Sequence, residues 1–545
     1  MVAIIHQTDK RSGLTYAYES ISHYDKEKRQ SRCKRRLIGR VDKETGKIVP
    51  TDGRGRKRSP YYQQLTESAP SNGEIPSDDI PSTPDSTRLF YGATFLLDAI
   101  GDKLGVTTDL KRCFPESYKQ ILSLTYYLIL EDKNPLYRFE KWGLIHKHPY
   151  GKDIPSQRSS EIFASITEGA KNRFFGLWGK NKAESEFLAY DITSISSFSE
   201  ALCQVQYGNN KEHDPLPQLH LALVYGQESK IPLYYRKLAG NIPDSKTVKN
   251  LIADLNTLGF SKVKLVMDRG FYSESNINNL YKEHLKFLIG VKISYAFVKK
   301  ELDLIYDDFR SYDHFSEKYD LYSHTVQTEW VYTQKRPYKG DQIEEKRRAY
   351  IHYYFNIDRA AEEEKKFDRA LISLRRELES GKRVSEHERA YAKYFEIKTT
   401  PKRGTKVMVK QEVVKKAKRY FGYFALLTNE KMDSETALEI YRGKDVIEKA
   451  FGNIKERLDM RRVRVSSEQT IDGKLFVEFI ALIYLSYIKK RMEEKGLCKT
   501  YTLQGILDKL DVIECFEIPG RKIRVGEILE KQKKLYIDLG VAPPS

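Results

Sequence analysis

Two aspartates stand where apolar, strand-like runs could present a carboxylate. Asp191 lies inside FLAYDITSI, and Asp268 directly follows KVKLVM. A charge in an apolar strand costs free energy unless it is compensated. Divalent ions such as Mg²⁺ prefer carboxylate oxygens, and a pair of such ions can activate the attacking oxygen and stabilise the leaving oxygen in phosphodiester cleavage. Either aspartate alone could equally be a helix cap or a salt-bridge partner.

A helical segment, YRGKDVIEKAFGNIKERLDMRR, supplies a third acid. At about 100° per residue, one face of a continuous helix within an arc of about 60° holds Tyr441, Lys444, Glu448 and Lys455. On the same geometry, Arg442 faces elsewhere. One acid, two bases and a phenol on one face could hold a metal ion and bind phosphates around it. A salt-bridged surface stripe is the alternative, and the spacing alone does not choose between the two.

Two basic segments could contact nucleic acid. The triplet Arg54-Gly55-Arg56 could lie in a minor groove, because glycine lets the backbone approach the groove floor. Arg461 and Arg462 follow the segment that contains Glu448 and could contact successive phosphates. A solvated basic loop is the alternative for both segments.

The composition favours a polyanionic partner. The chain has 545 residues, a formal net charge of +18 and 40% hydrophobic residues, which predicts several packed domains. Nucleic acid is the first candidate partner and an anionic membrane surface the second, with an evenly solvated basic protein as the alternative. The longest apolar stretch, Leu475 to Ile488, includes Glu478 and is shorter than the roughly 20 residues of a membrane helix. It predicts a buried helix. The first residues contain no apolar run of the kind found in signal peptides, so we expect no signal peptide.

The pattern of elements predicts an α/β protein with a ribonuclease-H-like mixed-sheet catalytic core, an insertion domain, and N-terminal β-rich and helical domains. The core prediction rests on the order β-β-β-α-β-α-β between residues 186 and 294. The predicted parts are a basic β-rich domain (1–60), a linker (61–86), a helical domain that could bind DNA (87–185), the first part of the core (186–294), an insertion domain (295–430), the second part of the core with the helix of Glu448 (431–494), and a C-terminal region for oligomerisation or DNA contact (495–545).

Taken in order along residues 186–494, these motifs resemble the DDE transposases of bacterial insertion sequences. A large group of that family has the signature Tyr, two residues, Arg, three residues, Glu, six residues, Lys. The matching positions here are Tyr441, Lys444, Glu448 and Lys455. Lys444 stands where arginine is usual, and it keeps the charge but lacks the bidentate fork. YDITS and MDRGFYS match the motifs of the two aspartates, and the long interval before Glu448 resembles members with an insertion domain.

The resemblance implies a metal-dependent reaction on DNA. Asp191, Asp268 and Glu448 would bind two Mg²⁺ ions per active site, with Mn²⁺ able to substitute. One strand would be cut at the end of the element, leaving a 3′-hydroxyl that later attacks target DNA. The implied partners are double-stranded DNA, both transposon ends and target, and a second copy of the chain in a homodimer. The implied location is the bacterial cytoplasm, at the nucleoid when the protein is bound to DNA, with no membrane contact.

Further DNA contacts follow from the same resemblance. Tyr441, Lys444 and Lys455 would hold the terminal phosphates. Trp330 is the candidate aromatic residue for stacking a flipped base, and a tryptophan that packs in the core is the alternative. Two other functions stay open at this point: a ribonuclease-H-like nuclease without strand transfer, and a DNA-binding derivative without catalysis.

Overall fold

The structure is a computed structural model. It describes residues 2–8, 15–25, 30–42, 46–49, 87–180, 182–199, 202–208, 210–211, 214–335, 342–400, 404–463, 467–518 and 521–545. The chain forms two compact units, Met1–Thr83 and Pro84–Ser545. Arg54 and Arg56, the proposed minor-groove residues, lie outside the described residues.

The N-terminal unit contains an antiparallel sheet. Its strands are β1 (Val2–Thr8), β2 (Thr15–Asp25), β3 (Gln30–Val41) and β4 (Ile48–Val49), paired in that order. The β-prone sequence TYAYES lies in β2, and the predicted strand-turn-strand that starts at Leu37 corresponds to the end of β3 followed by β4. The β-rich character predicted for this segment is therefore confirmed for the described residues.

The second unit begins with one short strand and a set of helices. These elements are β5 (Thr87–Phe90), α1 (Gly92–Leu104), α2 (Val106–Cys113), α3 (Tyr118–Leu130), α4 (Phe139–Ile145), α5 (Ser156–Ser165) and α6 (Glu168–Gly179). Helix α3 is buried along almost its whole length, as its continuous apolar sequence requires. The prediction of helices between residues 87 and 185 is confirmed.

A mixed sheet follows, as the alternating sequence pattern predicts. Its first elements are β6 (Phe187–Ser197), β7 (Gln218–Gly226), β8 (Pro232–Ala239), α7 (Asp244–Thr257), β9 (Lys264–Met267), α8 (Glu274–Lys282) and β10 (Lys286–Val291). The spatial order is β8-β7-β6-β9-β10. Strands β6, β7 and β8 are antiparallel neighbours, whereas β9 runs parallel to both β6 and β10. This order places the carboxyl ends of β6 and β9 at one edge.

The segment predicted as an insertion divides between this sheet and a small core of its own. Its elements are α9 (Ala296–Ile305), β11 (Phe315–Ser316), β12 (Leu321–Lys335), β13 (Gln342–Phe355), α10 (Ile357–Glu379), α11 (Glu388–Tyr394), β14 (Phe395–Thr400), β15 (Gly404–Val409), α12 (Gln411–Lys418) and β16 (Tyr423–Thr428). Strands β16, β13, β12 and β11 extend the sheet beyond β10. Helices α10, α11 and α12 enclose a separate apolar cluster with β14 and β15.

The last part of the chain returns to the sheet and to the helices. It comprises α13 (Ser434–Arg442), α14 (Asp445–Gly452), a π-helical turn (Asn453–Arg457), β17 (Arg462–Val463), α15 (Glu468–Glu494), α16 (Leu503–Asp511), β18 (Glu514–Glu517), β19 (Arg524–Val525) and α17 (Glu530–Asp538). The apolar stretch Leu475–Ile488 is buried in α15, as predicted. Within the described residues, no helix has the length and apolarity needed to cross a membrane.

Candidate active site

The sheet brings Asp191 and Asp268 next to each other. Strands β6 and β9 are parallel, and their register pairs Tyr190 with Met267. The residue that follows Tyr190 is Asp191, and the residue that follows Met267 is Asp268. Residues in the same row of a parallel pair point to the same face of the sheet, so the two carboxylates share one face at the end of β9. The sequence places each aspartate at a strand, but only the strand order makes them neighbours.

A lysine from the loop between β6 and β7 lies beside Asp191. Lys211 Nζ lies 3.8 Å from Asp191 Oδ1 and 3.1 Å from Asp244 Oδ2, and it donates a hydrogen bond of 2.6 Å to the carbonyl of Ile192. Burial raises the pKa of Asp191, and the negative charge of Asp244 adds to the increase. The charges of Lys211 and Lys444 and the backbone N–H of Ile192 partly offset it. Sequence reasoning missed Lys211, because a lysine in a loop has no periodic signal.

Asp268 accepts a hydrogen bond from the predicted phosphate-binding tyrosine. The hydroxyl of Tyr441 donates to Asp268 Oδ1 at 2.5 Å. Burial alone would raise the pKa of Asp268, but this hydrogen bond, the backbone N–H of Arg269 and the charges of Lys444 and Arg269 together hold the pKa below its ordinary value. Burial and the same hydrogen bond raise the pKa of Tyr441. The phenol is therefore a donor that stabilises the ionised carboxylate.

A glycine makes room for this contact. Gly290 lies in β10, next to β9. A Cβ atom at this position would be 2.9 Å from the Tyr441 hydroxyl oxygen and 3.1 Å from the backbone nitrogen of Arg269. Both distances are shorter than normal contacts, so a side chain at position 290 would displace the tyrosine or the end of β9. A glycine inside the apolar strand FLIGV was the available sequence signal, since such a residue often marks a close approach.

Glu448 approaches the sheet on α14, which packs against β6 and β7. Its side chain is 59% exposed, and Lys444 Nζ lies 3.4 Å from Glu448 Oε1. Lys444 also acts electrostatically on Asp191 and Asp268, because it lowers the pKa of both. One ammonium group thus lies within electrostatic reach of all three predicted metal ligands.

The continuous helix expected for Tyr441, Lys444, Glu448 and Lys455 is interrupted, but Lys444 still contacts its two predicted neighbours. Its Nζ lies 5.5 Å from the centroid of the Tyr441 ring and 3.4 Å from Glu448 Oε1. Helix α13 ends at Arg442 and α14 begins at Asp445, so Lys444 lies in the break between them. Lys455 follows in the π-helical turn, and it is buried, with 8% of its surface exposed. The prediction assumed a rotation of about 100° per residue, which neither the break between the helices nor the π-helical turn maintains.

Arg442 lines a cavity that Lys444 and Glu448 do not line. A cavity of about 540 Å³ opens beside Asp268, and Tyr441 and Arg442 both line it. Arg442 also lies over the ring of Tyr319, with its guanidinium carbon 5.0 Å from the ring centroid.

Trp330 packs in the interior of the second unit. It lies on β12 and is 8% exposed. Its indole nitrogen donates a hydrogen bond of 2.8 Å to Asn278 Oδ1, and its ring packs edge to face against Phe297. These contacts favour the packing role over a base-stacking role.

Arg461 and Arg462 lie at the surface, as DNA-contacting residues must. Arg461 forms an ion pair with Glu456 at 2.9 Å, and Arg462 forms a longer one with Asp214 at 3.4 Å. Exposed pairs of this kind are weak, so either arginine could exchange its carboxylate for a phosphate at little cost.

The three acids have the right donor atoms for a divalent metal ion, because Mg²⁺ prefers carboxylate oxygens. Asp191 and Asp268 already share one edge of the sheet. Among the described residues, however, no three acidic, histidine or cysteine side chains come close enough together to hold an ion. Glu448 is instead paired with Lys444. Metal binding would therefore require Glu448 to leave Lys444 and turn towards the aspartates.

One comparison with known proteins agrees with the motifs. The family model of the transposase DDE domain matches residues 183–484, more than half of the chain. No curated protein matches the sequence. Among solved structures, the chain is similar to a piggyBac transposase in a synaptic complex with hairpin DNA, determined by cryo-EM, with 9% identity, coverage of 72% of this chain and 70% of that chain, and a TM-score of 0.35. A TM-score at this level does not establish a shared fold. The family match spans the two aspartates, Tyr441 and Glu448, and the chain belongs to the family of proteins with a transposase DDE domain.

Proposed function

We propose that this protein is a bacterial insertion-sequence transposase of the Y-R-E-K group that binds the DNA ends of its element, cleaves them and joins the 3′-hydroxyl ends to target DNA. The family match supports a transposase function. The observation that favours this reaction most is the contact between Tyr441 and Asp268, because it links the segment with the Y-R-E-K signature to the aspartates.

The proposed catalytic core is ribonuclease-H-like. Support comes from the order β8-β7-β6-β9-β10, with antiparallel pairs on one side of β6 and parallel pairs on the other. This is the β-β-β-α-β-α-β arrangement expected from the sequence pattern. The proposed domains keep the predicted boundaries, with the region from 295 to 430 as the insertion.

In the proposed site, Asp191, Asp268 and Glu448 hold the divalent ions. When bound, Mg²⁺ would activate the attacking oxygen and stabilise the leaving oxygen at the scissile phosphate. Tyr441 orients Asp268 and keeps it ionised. The positive charge of Lys211 partly neutralises Asp191. Lys444 pairs with Glu448, which would turn towards the aspartates when the ions bind.

The proposed partners are double-stranded DNA and a second copy of the chain. The net charge of +18 supports a polyanionic partner. The homodimer follows from the reaction class, because transposition requires two element ends to be held together. The proposed location is the bacterial cytoplasm, at the nucleoid when DNA is bound.

The test is cleavage of a labelled duplex that contains the DNA flanking the gene, where the proposed function places terminal inverted repeats. We expect Mg²⁺-dependent cutting by the unmodified protein, and no cutting by Glu448→Gln, which still binds DNA. Glu439→Gln is the matched control, since Glu439 is an exposed acid on α13 whose partner is Lys318. Cleavage at the normal rate by Glu448→Gln would contradict the assignment of Glu448. Pre-cut ends that are never joined to target DNA would contradict strand transfer and indicate a nuclease.

A further inference from the structure

The cavity beside Asp268, here named the strand-end cavity, has a strong excess of positive charge. The residues that line it include four cations, Arg269, Lys292, Arg359 and Arg442. Among the described residues that line it, the only acid is Asp268, which already accepts the hydrogen bond from Tyr441. A concave surface with cations on several sides concentrates anions.

Most of these cations have no carboxylate partner within the described part of the chain. Arg269, Lys292 and Arg442 form no ion pair with any acid that the structure describes, whereas Arg359 is paired with Glu363 at 2.9 Å. The cations also come from separate elements: the end of β9, the end of β10, the first turn of α10 and the end of α13. The fold therefore gathers three cations that form no ion pair with the rest of the described structure.

Two of the arginines are held against aromatic rings. Arg442 lies over Tyr319, and Arg359 lies over Phe424 with its guanidinium carbon 5.3 Å from the ring centroid. Stacking of this kind restricts the motion of a guanidinium and leaves its N–H groups, which lie in the guanidinium plane, available to an anion. A restricted arginine loses less conformational freedom when it binds an anion, which favours a specific contact.

We propose that the strand-end cavity binds a phosphate group of the DNA substrate and that Arg442 makes the principal contact. This proposal rests on the proposed function. The guanidinium of Arg442 supplies the bidentate fork that a lysine at position 444 lacks. Lys444 is in turn engaged with Glu448. The arginine that grips the phosphate is thus the residue directly after Tyr441, two positions before the one that the family signature indicates.

The ligand is assigned to a DNA strand because the cavity opens directly beside Asp268, a proposed metal ligand. A strand that is cut beside that carboxylate carries further phosphates on both sides of the scissile bond, and the cavity offers one of them a cationic surface. The volume of about 540 Å³ lies within the usual range of about 300–1,000 Å³ for ligand pockets, enough for one nucleotide unit.

The first experiment measures the salt dependence of DNA binding by fluorescence polarisation in EDTA. Loss of one phosphate contact reduces the slope of log K against log salt by about 1. We expect this reduction in Arg442→Gln, together with several-fold weaker binding. Arg442→Lys keeps the charge but not the fork, so it should retain the slope and bind more weakly than the unmodified protein. Lys365→Gln, an exposed cation on α10, is the control and should leave both quantities unchanged.

The second experiment places a single neutral methylphosphonate at each position of the duplex in turn. We expect one position near the cleavage site that weakens binding by the unmodified protein and has no further effect on Arg442→Gln. Equal effects on both proteins at every position would overturn the proposal. So would binding of a free deoxynucleoside monophosphate that Arg442→Gln abolishes while the DNA slope stays unchanged, because the ligand would then be a free nucleotide.

These measurements separate the two hypotheses. They need neither metal ions nor cleavage, so the phosphate contact can be established even if the protein does not cut DNA. Conversely, normal Mg²⁺-dependent cleavage with an unchanged salt slope in Arg442→Gln would disprove the phosphate contact and leave the proposed function in place.

Discussion

The hydroxyl of Tyr441 donates a hydrogen bond of 2.5 Å to the carboxylate of Asp268. The tyrosine lies in the last turn of α13, and the aspartate directly follows β9. The contact fixes the end of α13 against the sheet immediately before the chain turns into α14. It therefore positions the segment of Glu448 as well as the carboxylate itself.

Replacing Tyr441 with phenylalanine should slow DNA cleavage by about 10- to 100-fold, because a hydrogen bond to a charged group contributes about 1.5–3 kcal/mol. Removal of the donor also takes away a contact that lowers the pKa of Asp268, so that pKa should rise. Since the reaction needs the ionised carboxylate, the acid limb of the rate profile should move to higher pH. Single-turnover cleavage measured across pH tests both effects. A variant with the same rate and acid limb as the unmodified protein would refute this role.

Replacing Gly290 with alanine should disturb the same contact from the other side. The added Cβ atom would come within 2.9 Å of the Tyr441 hydroxyl, so the phenol must move away from Asp268. We expect a loss of cleavage similar to that of Tyr441→Phe. The double variant should be little worse than either single one, because both changes remove one interaction. Gly169→Ala is the control, since a Cβ atom there meets no heavy atom within 4 Å. Fully additive losses in the double variant would count against the shared mechanism.

Replacing Arg457 with alanine should destabilise the second unit by about 1–3 kcal/mol, because buried acceptors lose a charged donor. Arg457 closes the π-helical turn and donates hydrogen bonds to the carbonyl of Ile129 at 3.0 Å and to the side chain of Gln504. It thereby joins the segment that follows α14 to α3 and α16. Urea unfolding followed by circular dichroism gives the change in free energy.

The control for this experiment is Arg461→Ala. Arg461 is 59% exposed and paired only with the exposed Glu456 among the residues described, so its removal should change stability by less than about 1 kcal/mol. Equal effects of the two substitutions would show that the contacts of Arg457 have no special structural role.

Replacing Glu478 with glutamine should stabilise the protein at neutral and alkaline pH. Glu478 is buried in α15, 3.6 Å from Lys474, and burial raises its pKa to about 8. An acid with a raised pKa in the folded state contributes no penalty below its ordinary value of 4.5 and destabilises the fold progressively as the pH rises towards 8. We expect the variant to be about 1–3 kcal/mol more stable at pH 8 and nearly equal at pH 5.

Denaturant unfolding at these two pH values tests the prediction. Glu530→Gln is the matched control, because Glu530 is 87% exposed on α17 and should show no pH-dependent difference. A constant difference between Glu478→Gln and the unmodified protein across pH would mean that the carboxyl of Glu478 titrates normally.

The local patterns of the sequence determined the elements and their types. The apolar runs around Asp191 and before Asp268 predicted β6 and β9, and two successive strand-like runs predicted the β7–β8 hairpin. Such predictions succeed because hydrophobic periodicity is a local property of the chain. The acidic motifs and the family resemblance also needed only sequence order, and the family match confirms that the chain has a transposase DDE domain.

Only the tertiary structure decided which side chains meet. The Tyr441–Asp268 contact joins residues far apart in the chain, and the space for it is left by Gly290 on a third element. Lys211 approaches Asp191 from a loop, and Arg442 lines the cavity beside Asp268 from a helix end. Neither position follows a fixed periodicity. The helical wheel assumed an unbroken helix, whereas α13 ends at Arg442 and the chain continues through a turn, α14 and a π-helical turn. Lys444 nevertheless contacts both Tyr441 and Glu448.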